Sequence, residues 1–226
     1  KLNDWGGWGI VSMGEAACFG GVAACRAWAW MRASRGMTVE GNQKILRPSA
    51  ARLLESMRDI GYSFESALAD IVDNSVSAGA SHIEIANDVH SESGAYLAVL
   101  DDGRGMSPDE LTQAMQHGSR SPREVRDAGD LGRFGLGMKT ASFSQCRRLT
   151  VVSRQGGQLA ARCWDLDQVV QEDEWILNLL DDEEILRLPL VERIGEQGTL
   201  ILWQRLDRLD ALGDHPDQIY AALNQL

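Results

Sequence analysis

The stretch Asp101-Asp102-Gly103-Arg104-Gly105-Met106 constrains this chain most. It lies between the apolar run Tyr96-Leu97-Ala98-Val99-Leu100 and the helix-start signal Ser107-Pro108-Asp109-Glu110. A short apolar run bounded by turn residues reads as a buried strand, and this one delivers an acid to a sharp, glycine-softened turn. An ionised carboxylate only accepts hydrogen bonds, so it suits an amino group such as the exocyclic amine of a purine. Gly103 and Gly105 withhold the side chains that would keep a flat ring off the backbone. Taken alone, the stretch reads first as an ordinary strand-end turn. Two other segments change that reading.

Upstream, Phe64 to Ser77 reads as a helix with Phe64, Leu68, Ile71, Val72 and Ser75 on one side and Asp70, Asp73, Asn74 and Ser77 on the other. A polar stripe is ordinarily a solvated face. Surface helices mix their charges, however, and this face holds acids and an amide with no Lys or Arg at helical spacing. Oxygen ligands without a basic partner suit a hard cation such as magnesium. Downstream, Gly132-Arg133-Phe134-Gly135-Leu136-Gly137-Met138-Lys139-Thr140 is a glycine-dense loop that runs into a helix expected to start near Ala141. Backbone amides at such a junction, backed by the helix dipole, cradle phosphate, and Lys139 would add a point charge. The loop is no Walker sequence, because Met138 separates Gly137 from Lys139. No strand pattern leads into it, which also sets aside a Rossmann fingerprint.

Acidic helix, Asp-x-Gly-x-Gly turn and glycine loop, in that order, resemble the GHKL ATPases (gyrase, heat-shock chaperone, histidine kinase, MutL). The resemblance runs from Ser49 to Trp203 and is strongest to the MORC and MutL branch. Gly198-Thr199-Leu200-Ile201-Leu202 resembles that superfamily's late Gly-Thr strand. The resemblance implies the Bergerat ATP-binding fold, an α/β (α+β) two-layer sandwich. Its sheet is mixed and largely antiparallel, with the helices of residues 49–59, 64–77 and 134–146 on one face. The cofactors it implies are ATP and Mg2+, and the activity is hydrolysis of ATP to ADP and phosphate, coupled to lid closure and conformational switching.

The same resemblance assigns roles. Asn74 would hold magnesium and the phosphates, with Ala78 one turn on as a wall of the pocket. Asp101 would read the adenine amine, Gly105 and Met106 would flank the ring, Arg104 would stack near it, and Thr199 would reach the adenine site. Gly135, Gly137, Met138 and Lys139 would bind phosphates, and Asp70 would be the catalytic base that activates water. Here the chain departs from the family, which carries glutamate where this chain has Asp70. One methylene less requires the helix or the water to move for hydrogen-bond reach, so slow turnover is expected. Nucleotide binding without hydrolysis is one alternative. Phosphotransfer of the histidine-kinase kind is the other, although no histidine precedes His82. Ser119 to Asp130, with Arg120, Arg123 and Arg126, is polar and aperiodic, and the resemblance makes it a lid hinged at Gly118 and Gly129.

The rest of the chain supplies boundaries. Its 226 residues are ample for one core. A net charge of −11 argues against binding nucleic acid by bulk attraction, so a DNA or protein client would be held through further domains, with an ATP-dependent homodimer as the implied assembly. The cysteines, Cys18, Cys25, Cys146 and Cys163, form no Cys-x-x-Cys pair, which fits a reduced, cytoplasmic setting. The apolar run Ala16 to Cys25 is too short to span a bilayer. Residues 1–36, rich in Trp, Gly and Ala, are expected to be a non-native or disordered extension ahead of a start at Met37. Residues 37–213 would be the ATP-binding domain, and 214–226 the start of a truncated helix or following domain. Gly156-Gly157 signals a hairpin, Asp181-Asp182-Glu183-Glu184 a solvated helix start rather than a metal site, and Thr199 to Trp203 a strand that closes the sheet.

Overall fold

The computed structural model describes residues 48–59, 61–88, 90–91, 94–116 and 137–210. The expectations for the extension, the start at Met37, the lid over 119–130, Gly135 and the helix from Asp214 lie outside these residues.

Two helices open the described chain, α1 (Ala50–Arg58) and α2 (Phe64–Ser77). Each begins where a serine side chain accepts a first-turn amide, Ser49 from Arg52 and Ser63 from Ser66. Strands β1 (Ile83–Asp88) and β2 (Tyr96–Asp101) follow, then α3 (Pro108–Met115). Helix α3 starts in a reciprocal capping box between Ser107 and Glu110. After α4 (Gly137–Gln145) come β3 (Arg148–Gln155) and β4 (Gln158–Asp165). They are joined through Gly156 and Gly157, whose φ values of +58° and +80° fit the twist of a two-residue hairpin. The chain continues with α5 (Leu166–Glu172), β5 (Leu177–Leu180), α6 (Asp182–Leu186), a single 3-10 turn (Val191–Arg193), β6 (Gly198–Gln204) and α7 (Asp207–Asp210).

The six strands form one sheet in the order β1-β2-β6-β3-β4-β5. Every described pairing is antiparallel, so the sheet is uniform rather than mixed. Nor does β6 close the sheet. It lies at the centre, between β2 and β3, because it is apolar on both faces. Ile201 and Trp203 join the helical layer while Leu200 and Leu202 join the opposite one, and such a run is most stable with a neighbour on each side.

The main core lies between the sheet and the helices. Leu54 of α1, Ala67, Leu68 and Ile71 of α2, Leu111 and Met115 of α3 and Phe143 of α4 pack there with Val99, Val151 and Trp203. Trp203 meets Phe64 edge-on and donates its indole N–H to Ser142 Oγ at 2.8 Å. A smaller core covers the other face, where Ile185, Val191 and Ile194 lie over Ala98, Val152, Leu200 and Leu202. The acidic run supplies the cap of the short helix in that cover. Asp181 and Glu184 close a capping box, so this cluster is a helix start.

Candidate functional site

Helix α2 brings most of the predicted polar residues to the edge of the helical layer. Its buried stripe of Ala67, Leu68 and Ile71 fixes the helix against the sheet. That leaves Asp70 and Asn74 half-buried, with Asp73 exposed to one side. From Asp70 to Ala78 the helix rises about 12 Å, and it behaves as a rail with different chemistry at each end.

At the C-terminal end the rail meets the turn after β2. Asp101 is 6% exposed, its Oδ2 accepting from Ser75 Oγ at 2.7 Å and its Oδ1 from the Gly103 amide at 2.9 Å. Burial pushes the Asp101 carboxyl above its ordinary value, against the Ser75 and Gly103 hydrogen bonds that favour the charge. Its neighbour has the opposite fate. Asp102 is exposed and takes the Ser81 hydroxyl and the Ser81 and His82 amides, which hold its carboxyl down at about 2. Adjacent acids are thereby separated into one that secures the turn to β1 and one that faces inward beside α2.

Thr199 of β6 pairs with Asp101 across the ladder, and its hydroxyl lies 2.9 Å from Ser153 Oγ of β3. Ser153 in turn accepts the Met106 amide at 2.8 Å. Thr199 and Met106 are therefore joined through Ser153 at one end of the central strands, beside Asp101. The glycines of the turn act through tertiary contacts. A Cβ on Gly103 would come within 2.9 Å of Ala78 Cβ, and one on Gly105, at φ +64°, within 2.0 Å of the Arg154 carbonyl oxygen. Ala78 also accepts the Arg104 amide at 3.0 Å, which ties the end of the rail to the turn. The Arg104 side chain is exposed and pairs with Glu110 at 3.2 Å.

At the other end of the rail, Asp70 Oδ2 accepts the Tyr62 hydroxyl at 3.0 Å, and a Cβ on Gly137 would stand 3.8 Å from the same oxygen. Helix α4 starts at Gly137 rather than at Ala141, so the end of the glycine loop is itself the first helical turn. The amides of Gly137, Met138 and Lys139 are the ones a helix cannot satisfy internally, and Gly137 itself stands beside Asp70. The Lys139 side chain turns inward. It is 1% exposed, Nζ donates to the Ala114 carbonyl at 2.6 Å, and burial lowers its pKa to about 8. What Lys139 presents in this arrangement is its amide.

The Asn74 amide nitrogen donates to the Asp70 carbonyl one turn back. This leaves Oδ1 as an acceptor with no partner among the described residues. A single amide oxygen beside a carboxylate fits magnesium, which takes few protein ligands when phosphates supply the rest. Among the described residues no group of three or more His, Cys, Asp or Glu could hold a metal without such help.

Ser75, Ser153 and Tyr62 escape the sequence reading. Ser75 carries a signal, a hydroxyl in an otherwise apolar stripe, and Ser153 carries the same signal at the end of an apolar strand. Tyr62 carries none, since only the tertiary structure brings it to Asp70. No described helix is long and apolar enough to cross a membrane.

The family described as "Histidine kinase-, DNA gyrase B-, and HSP90-like ATPase" matches residues 62–198. DNA mismatch repair protein MutL of Rhodospirillum rubrum is 37% identical over 103 residues, covering 45% of this chain and 16% of that protein. ATPase MORC2 of Homo sapiens is 30% identical over 125 residues, 54% of this chain and 11% of that protein. ATPase morc-1 of Caenorhabditis elegans is 33% identical over 98 residues, 42% of this chain and 11% of that protein. The matches thus span under a fifth of these relatives' own lengths. The family match takes in more than half of the 226 residues, from Tyr62 ahead of the rail to Gly198 beside Thr199, and on it the chain belongs to the histidine kinase-, DNA gyrase B- and HSP90-like ATPases.

Proposed function

We propose that this domain binds ATP along α2 and hydrolyses it to ADP and phosphate with the help of magnesium. The observation that carries the reading is the polarity of the rail. An inward carboxylate with hydroxyl neighbours lies at one end, and the first turn of α4 beside a second carboxylate lies at the other. The first end suits adenine, with Asp101 accepting from the exocyclic amine, Thr199 beside it, and Gly105, Met106, Ala78 and Arg104 around the ring. The second suits the phosphates, held by the amides of Gly135, Gly137, Met138 and Lys139.

Asn74 Oδ1 would hold the magnesium ion, which neutralises charge on the phosphates when bound. Asp70 acts as the general base. It takes a proton from the attacking water through whichever oxygen faces that water, and hydrolysis is slow because the carboxylate is a methylene shorter than glutamate. The segment Ser119 to Asp130 closes over the bound nucleotide, and closure drives a conformational switch. Relatives named as ATPases and as a DNA mismatch repair protein support an ATP cycle; a DNA or protein client held through further domains and ATP-dependent pairing of two copies complete the proposed cycle. Free, buried Cys146 and Cys163 fit a reducing, cytoplasmic setting.

Titration of the purified chain with ATP, with and without magnesium, followed by measurement of phosphate release, tests this reading. Wild type should bind ATP with magnesium and release phosphate, Asn74→Ala should lose magnesium-dependent binding, and Asp70→Asn should bind without release. Wild-type affinity in Asn74→Ala would overturn the assignment of the phosphate end.

A further inference from the structure

The phenol of Tyr62 is the one side chain among the described residues that hydrogen-bonds the Asp70 carboxylate. It stands just before Ser63, the cap of α2, and follows Gly61, whose φ of +85° turns the chain at that point. Two helices hold it. The ring packs against the main core, and the Tyr62 carbonyl accepts the Gln145 side-chain amide at 3.3 Å. Gln145 is itself buried at the end of α4, where its amide also meets Ser144 Oγ. Tyr62 is therefore anchored both to the helix that carries Asp70 and to the helix that begins at Gly137.

An aspartate carboxylate turns about a soft terminal torsion, and its short stem leaves it free to swing within its pocket. With Oδ2 held by the phenol beside Gly137, that freedom is removed. Oδ1 has no partner among the described residues and keeps its lone pairs for a water. A general base is effective only within hydrogen-bond reach of the proton it removes, and misplacement by about 1 Å costs on the order of a hundredfold in rate. The carboxylate that is short by a methylene is thus the one with an external hydroxyl to fix its direction.

We propose that Tyr62 is a positioning residue for hydrolysis, its hydroxyl holding the Asp70 carboxylate against the start of α4 so that the shorter acid reaches the attacking water. The proposal rests on the reading of Asp70 as the base. Tyr62 is half-buried and its hydroxyl needs a partner in any case, so the test must separate positioning from simple satisfaction.

Tyr62→Phe keeps the ring and removes only the oxygen. Phosphate release, magnesium-ATP affinity by calorimetry and thermal midpoint are measured for wild type, Tyr62→Phe, Asp70→Asn and the double variant. In the proposed arrangement Tyr62→Phe lowers kcat by about ten- to a hundredfold, with ATP affinity within about twofold and the midpoint little changed. Added to Asp70→Asn, the same substitution costs nothing further. Combined with Asp70→Glu, which restores the reach, Tyr62→Phe lowers kcat by less than about threefold. Should Asp70→Asn release phosphate like wild type, or wild type bind ATP without releasing any, the Asp70 reading fails and takes the proposal with it. Should Asp70→Asn abolish release while Tyr62→Phe keeps wild-type kcat, or lose affinity and midpoint in step with kcat, the Asp70 reading stands and Tyr62 is only a satisfied core hydroxyl.

Discussion

Thr199 faces Asp101 directly across the β2–β6 ladder, although three strands (β3 to β5) and four α-helices (α3 to α6) among the described residues lie between the two in sequence. The pairing puts the Thr199 and Asp101 side chains on the same face at one end of two central strands, with Ser75 hydrogen-bonded to Asp101 from α2.

Replacing Asp101 by Asn should therefore separate function from stability. In the proposed adenine site the amide would present a donor where the exocyclic amine needs an acceptor, and ATP affinity should fall about ten- to a hundredfold. Stability should hold or rise near neutral pH. Burial raises the folded carboxyl above its ordinary value, so the folded chain binds that proton more tightly than the unfolded chain. Wild-type stability then falls as pH rises through the window from the ordinary value to the raised one. Urea denaturation across the acidic range should show this slope in wild type and not in Asp101→Asn, with calorimetry reporting the loss of ATP.

Lys139 titrates in the opposite sense. Its folded pKa lies at about 8 against an ordinary 10.5, so the unfolded chain holds more protons between those values and the folded chain gains stability as pH rises through them. Lys139→Met should remove that rise and leave the chain at least as stable at pH 7, as read from denaturation midpoints at pH 7, 8.5 and 10. A midpoint that fell sharply at pH 7 would show that the ammonium on Ala114 stabilises more than its burial costs.

Gly105 and Gly156 offer a matched pair, since both have positive φ. Gly156→Ala meets open space and should cost about 1 kcal/mol for the backbone conformation alone. Gly105→Ala drives a methyl into the Arg154 carbonyl and should cost about 3 kcal/mol or more, with loss of ATP affinity because the turn shifts. Urea midpoints of the two variants compare these costs directly.

Arg58 is 4% exposed, donates to the Phe143 and Cys146 carbonyls at the end of α4, and pairs with Asp207. Arg58→Met fits the space but withdraws the guanidinium from two carbonyls and from Asp207, which keeps only its longer pairing with Arg147 at 3.7 Å, at a cost of about 3 kcal/mol. Lys in its place should recover little, because an ammonium cannot reproduce the planar fork. Thermal midpoints of both variants check this.

Much of this geometry was legible in the residues. Asp101 at a strand end, the polar face of α2 and the glycine loop ahead of α4 each carry a local pattern, and the caps at Ser107 and Asp181 are written in the serine and acid positions themselves. Other features were not. Thr199–Trp203 reads as a strand anywhere in a sheet, and its central place follows from apolar residues on both of its faces. The reason for Gly105 was also hidden, because the atom that excludes a side chain belongs to Arg154 on another strand.

Local chemistry is what the sequence determined by itself: an acid delivered to a turn, carboxylate and amide side chains at helical spacing, and glycines before a helix start. These depend on residues a few positions apart, whose relative placement follows from helix and strand periodicity. The tertiary structure alone decided the couplings, namely Tyr62 on Asp70, Ser75 on Asp101, Thr199 opposite Asp101 and Lys139 turned inward to Ala114. The first spans eight residues at the start of α2 and depends on how the chain enters that helix; the others join parts of the chain whose separation is set by packing and strand order rather than by any local period.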